Sequence, residues 1–180
     1  SSAASDVYKR QIEKNNLAKP DLLFTFLTGN GLYVPYSNEF ITHEKYATKF
    51  LEQFHKDFPD ALIGVMGIEL PCCNGGVTAC YGAQGYYHDW YGDTVTTLNY
   101  DKWLENFTKL EEHASYMTYF DIKSQFDSEY SHPVELVKVN NRSEILERIG
   151  TNGLHPSIDG YKQIGDAFYR FLVEMVKRIK

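Results

Sequence analysis

The chain has 180 residues, 43% of them apolar and 23% charged, with a net charge of −6. That is enough for one domain around one core. No stripe of Lys and Arg is present, so nucleic acid is not an expected partner. No apolar run reaches the roughly 18 residues that span a bilayer, so no membrane span is expected.

Residues 1–11, SSAASDVYKRQ, resemble a translated sequencing-adapter peptide and are read as a non-native leader. The domain proper then occupies 12–180, entered partway through an element with the true N-terminus missing. The compartment is left open, with a secreted or cell-surface protein favoured.

Ile12 to Leu17 reads as a helix tail closed by Pro20, which biases the residue before it away from helix. Leu22 to Leu27 is a short apolar run suited to a buried parallel strand. Ile41 to Phe58 is an amphipathic helix with Thr42 as its expected N-cap and Tyr46, Ala47, Phe50, Leu51 and Phe54 on one face. Ala61 to Met66 is a second strand.

Residues 67–98 are rich in Gly, Tyr and Cys and show little periodicity, as functional loops often do. Leu98 to Ala114 is a helix with Tyr100, Trp103, Leu104, Phe107 and Leu110 facing inward. Tyr116 to Asp121 is a third strand, and Pro133 to Val139 reads as a hairpin arm. Ser157 caps a last helix to Ile179, with Tyr161, Ile164, Phe168, Leu172, Met175 and Ile179 inward and Asp159 in its first turn.

Alternating strands and helices predict an α/β fold with a mainly parallel sheet. Cys72 and Cys73 are adjacent and cannot easily bridge each other. A bridge from either to Cys80 stays open. Their spacing with His88 fits no zinc pattern, so thiols in the core or a loop are expected and no metal.

Ligands of open α/β sheets bind outside the carboxyl ends of the strands. Three features fall there: Thr28-Gly29-Asn30-Gly31, the 67–98 segment, and Asn152-Gly153-Leu154-His155-Pro156. His155, in a Gly/Pro-rich turn, reads either as a general base or as a loop histidine capping a turn. Asn30 beside two glycines reads as a turn residue that accepts a left-handed conformation. Tyr81, Tyr86, Tyr87, Trp90 and Tyr91 form a platform for a sugar or acyl group, or else pack their loop onto the domain.

The run Thr151-Asn152-Gly153-Leu154-His155-Pro156-Ser157 with Gly160-Tyr161 resembles the last sequence block of the SGNH/GDSL hydrolases. Pro20-Asp21, the apolar run after it and Leu27-Thr28-Gly29-Asn30 resemble an earlier block of that family. The resemblance covers roughly residues 12–178. It implies a three-layer α/β/α flavodoxin-like sandwich whose first strand or strands are missing here, leaving a bare sheet edge.

It further implies a serine ester hydrolase acting on a carboxylic ester, with O-acyl groups on carbohydrate as one substrate class. His155 would be the general base and Asn30 a side-chain donor of the oxyanion hole, worth about 3–4 kcal/mol in the transition state. Gly29 and the Tyr-rich loop would lie at the substrate, a small-molecule or carbohydrate ester. No cofactor is implied.

This sequence departs from the family in two places. Asn152 stands where the family has Asp; an amide can orient an imidazole but cannot balance the imidazolium charge, and such a change costs about ten-thousandfold in a serine protease. The Gly-Asp-Ser block is absent, which places the nucleophile upstream and makes this chain inactive by itself. Asp159, a helical turn beyond His155, is expected to point elsewhere. The alternative reading is a non-catalytic carbohydrate-binding or virion-associated surface module of the same type.

Overall fold

The computed structural model describes residues 2–26, 38–72 and 90–179, with the side chains of 2–6, 38–40 and 90–96 outside the description. In chain order the elements are α1 (Ser2–Lys14), β1 (Leu22–Phe26), α2 (Asn38–Asp57), β2 (Leu62–Met66), α3 (Trp90–Thr108), β3 (Met117–Phe120), β4 (Val134–Lys138), β5 (Leu146–Gly150) and α4 (Ile158–Val176). The fold is α/β: a parallel sheet in the order β1-β2-β3, and a separate antiparallel hairpin of β4 and β5. Among the described residues, β1 has β2 as its one strand neighbour.

Side chains alternate across the strands, so each strand feeds two faces. Ile63 and Val65 of β2 and Met117 of β3 pack with Leu51 and Phe54 of α2 and with Tyr100 and Leu104 of α3. On the opposite face, Met66 and Phe120 pack with Ile164, Ala167, Phe168 and Phe171 of α4. Phe24 meets Phe168 edge-on at 4.6 Å, and Phe120 stacks on Phe171 at 4.6 Å. Such ring pairs add about 0.5–1.5 kcal/mol beyond the area they bury.

Helix α1 ends in a left-handed residue, Asn16, with φ 51°. Leu17 N–H then bonds Ile12 O at 3.0 Å and Asn16 N–H bonds Glu13 O at 3.2 Å. This is the Schellman pattern, with Asn as the residue that tolerates the left-handed cap. Tyr8 of α1 packs on Phe54 and Phe58, its ring 5.7 and 6.0 Å from theirs, and its hydroxyl donates to Asp57 Oδ2 at 3.3 Å. Lys9 pairs with the same carboxylate at 3.2 Å.

Several boundaries differ from the sequence expectation. Helix α2 begins at Asn38, so Thr42 lies inside it and is not its cap; no Gly or Pro stands between the two to stop it. Helix α3 begins at Trp90, within the segment expected to be a loop. Gly92 and the β-branched run from Thr94 to Thr97 hide its helical character. It ends at Thr108, after which Lys109 and Leu110 bond back only three residues. That tightening turns Leu110 outward, to 43% exposure.

Tyr46 and Tyr161, expected inside, are both more than half exposed. Each lies at the rim of its apolar stripe, where a phenol keeps its hydroxyl in water. The hairpin arm is observed as β4, paired with β5 from Val134↔Gly150 to Lys138↔Leu146. Ser157 caps α4 as expected: its hydroxyl accepts from Gly160 N–H at 3.2 Å.

Candidate functional site

Because the strands are parallel and in register, Phe26, Met66 and Phe120 end side by side. The chain therefore leaves β1, β2 and β3 at one end of the sheet, where an open α/β fold binds its ligands. Beyond β2, Gly67 N–H extends the ladder to Phe120 O at 2.9 Å. A side chain at 67 would meet the Tyr119 hydroxyl and the Asp101 carboxylate and would have to displace one of them.

Strand β5 delivers the turn that carries His155. Asn152 Oδ1 accepts the backbone N–H groups of Leu154 at 3.3 Å and of His155 at 2.9 Å, an Asx-type turn. Gly153 and Pro156 are buried, whereas His155 is exposed. The turn is tied to the exit of β2: Cys72 N–H donates to Gly153 O at 3.0 Å. It is tied also to the segment before β4: Thr151 N–H donates to Pro133 O at 2.9 Å and Ser157 N–H to Ser131 O at 2.7 Å. The result is an accessible imidazole on a backbone fixed from three directions. Asp159 pairs with Lys162 at 2.9 Å.

A second polar cluster lies at the same end of the sheet. Asp101 of α3 is 1% exposed and accepts Ile68 N–H at 2.8 Å. Lys123 Nζ stands 3.4 Å from the second oxygen of Asp101, 2.8 Å from Asp121 and 3.0 Å from the Tyr119 hydroxyl. Burial pushes the Asp101 carboxyl up to about 6 against the pull of Ile68 N–H and Lys123. Burial raises Glu69 to about 7, and the Asp101 charge adds to the rise. Glu69 Oε2 has no hydrogen-bond partner among the described residues. Burial opposes the Lys123 ammonium, but its bonds to Asp121 and Tyr119 and the charge of Asp101 hold its pKa above the ordinary value.

The sequence expectations do not include this cluster, although a signal for it exists: Asp101 shares the buried stripe of α3 with Thr97, Leu104 and Thr108. An acid on an apolar helix face is the informative exception. The groove beside β3, about 370 Å³, is lined by Glu105, Lys109, Thr118, Tyr119, Asp121 and Arg178 among others and includes no residue of the His155 turn.

Of the residues singled out from the sequence, the structure brings Asn152 and His155 into one turn. Asn30, Gly29, Tyr81, Tyr86, Tyr87, Tyr91's side chain and the side chain of Trp90 lie outside the described residues, as do Cys73 and Cys80. Cys72 is buried. Among the described residues no group of three or more His, Cys, Asp or Glu is placed to hold a metal ion. None of the described helices is long and apolar enough to cross a membrane. Compared with protein-family models, curated proteins and solved structures, the chain matches none.

Proposed function

We propose that this chain is part of an SGNH/GDSL-type serine ester hydrolase with a flavodoxin-like α/β/α architecture, and that His155 is its general base. The observation that carries the reading is the exposed imidazole on a braced turn, just before a helix and tied to the carboxyl end of a parallel sheet. A base must reach its nucleophile at hydrogen-bond distance, and a fixed backbone supplies that precision.

The nucleophile is a serine outside the described residues. Two serines lie beside the turn and neither suits the role: Ser157 Oγ caps α4, and Ser131 is 1% exposed. In the proposed reaction the serine oxygen attacks the ester carbonyl as its proton passes to His155. The Asn30 amide donates to the oxyanion. Collapse of the tetrahedral intermediate expels the alcohol, which takes the proton from imidazolium. Water then attacks the acyl-serine with His155 again as base. Tyr81, Tyr86, Tyr87 and Trp90 contact the substrate, for which an acyl group on a carbohydrate fits their chemistry.

The test is hydrolysis of p-nitrophenyl acetate by the full-length protein. His155→Ala lowers the rate by about a thousandfold or more. Unchanged turnover in that variant ends the reading. One observation favours the rival, a carbohydrate-binding module without turnover: Asn152 supplies no negative charge beside the imidazole. Binding of an acetylated oligosaccharide without hydrolysis by the intact protein would select it.

A further inference from the structure

The tripeptide Ser131-His132-Pro133 grips the His155 turn at both ends. Its first carbonyl accepts Ser157 N–H and its last accepts Thr151 N–H, at 2.7 and 2.9 Å. Between them the His132 ring is 2% exposed and turned inward. Its Nε2 lies 3.1 Å from Leu70 O. A carbonyl can only accept, so Nε2 carries a proton. The Phe126 ring meets the imidazole edge-on at 5.3 Å.

Burial lowers the pKa of this ring, while the backbones of Leu70, His155 and Asn152 draw it the other way. Nδ1 has no hydrogen-bond partner among the described residues. A buried, half-satisfied imidazole is a costly way to fill space, and an aliphatic side chain would do so without that cost. The bond that His132 does make closes a circuit of three segments. His132 holds Leu70; Cys72, two residues on, holds Gly153; and the turn holds back onto Ser131 and Pro133.

We propose that His132 is a positioning residue for His155, a neutral buried imidazole that locks the exit of β2 against the turn and so sets where the His155 ring stands. The inference rests on His155 being the working imidazole. The groups that carry it are backbone carbonyls and amides, so it requires no charge on His132.

The test uses the 180-residue chain labelled with 15N, as His132→Leu and His132→Gln. In His132→Leu, amide exchange at Cys72 and Ser157 accelerates about tenfold while that of β2 does not change, and the His155 ring resonances move. In His132→Gln, whose side-chain N–H can take the place of Nε2–H, exchange returns to within about threefold of wild type. In the full-length protein, His132→Leu lowers kcat on p-nitrophenyl acetate about tenfold or more with KM nearly unchanged, and Gln restores it.

A folded His132→Leu with wild-type exchange and unmoved His155 resonances overturns the proposal. If the Leu variant does not fold, the Gln variant decides. Wild-type behaviour supports the Leu70 bond as the lock, and loosened exchange at Cys72 and Ser157 overturns it. Full activity in His155→Ala removes the hydrolase reading and with it any catalytic role for His132. Loss of activity in His155→Ala with none in a folded His132→Leu removes the role of His132 alone.

Discussion

The carbonyl oxygen of Ser131 occupies the space where a side chain on Gly160 would begin. The first turn of α4 is thereby pressed against the segment that grips the His155 turn. Gly160→Ala forces backbone against Cβ and is expected to cost about 2–4 kcal/mol. A Cβ added at Gly165, on the same helix, would meet nothing within 4 Å. Gly165→Ala is therefore expected to gain about 0.5–1 kcal/mol from helix propensity. Urea denaturation of the two variants checks both signs, and equal effects would contradict the packing described.

Glu69 and Asp101 keep their protons to about pH 7 and about pH 6 in the folded chain, against 4.5 and 3.8 as ordinary values. Between those limits the unfolded chain has released protons that the fold retains. Stability from these groups is thus complete at low pH and is lost as pH rises toward 7. Glu69→Gln removes the Glu69 share without changing shape. The stability difference, wild type minus variant, should fall by about 1–3 kcal/mol between pH 4.5 and 7.5. Taking the difference cancels His55 and His132, whose pKa values burial lowers and which act in the opposite sense. A difference independent of pH would show that Glu69 is not desolvated.

Tyr8 closes one end of the aromatic group formed by Phe50, Phe54 and Phe58. Tyr8→Ala should cost about 1–3 kcal/mol by uncovering those rings. Removing residues 1–11 should cost at least as much in the same thermal or urea measurement. Indifference to both changes would mean that α1 contributes no stability to the domain.

Asn152→Asp leaves an oxygen in place to accept the Leu154 and His155 N–H groups, now as charge-assisted bonds. The turn should therefore persist and exchange its amides more slowly. A negative charge in the turn that carries His155 should also raise turnover of the full-length protein, by about tenfold or more if charge balance is what the site lacks. Slower exchange with no gain in turnover would show that Asn152 serves the turn and that another group supports the imidazole.

The sheet was legible because Leu22 to Phe26 and Leu62 to Met66 are short apolar runs between breakers, the pattern of strands buried on both faces. The cap at Ser157 was legible because a hydroxyl before a helix has one evident task. The start of α3 was not, since Gly and Thr in its first turns carry weak helix propensity. Nor was the second strand of the hairpin, where Glu147 and Arg148 interrupt any apolar alternation.

Asn152 and His155 lie three residues apart and could be read as one unit. Asp101 was marked only by its place on the buried stripe of α3, and the partners of Asp101 and His132 are remote in sequence, where a local pattern carries no trace of them.

His132 and Leu70 are 62 positions apart, and the turn they secure belongs to neither neighbourhood. Contacts so far apart in sequence close long loops, an entropic cost that bonds within the turn do not carry. A synthetic peptide spanning Leu146 to Tyr161 would hold the partners of the Asn152 and Ser157 side chains but none of the bonds to Cys72, Ser131 and Pro133. The role proposed for His155 would in that sense belong to the finished domain, and any lesion that slackens the far ends of the circuit would disturb the turn while leaving its sequence intact.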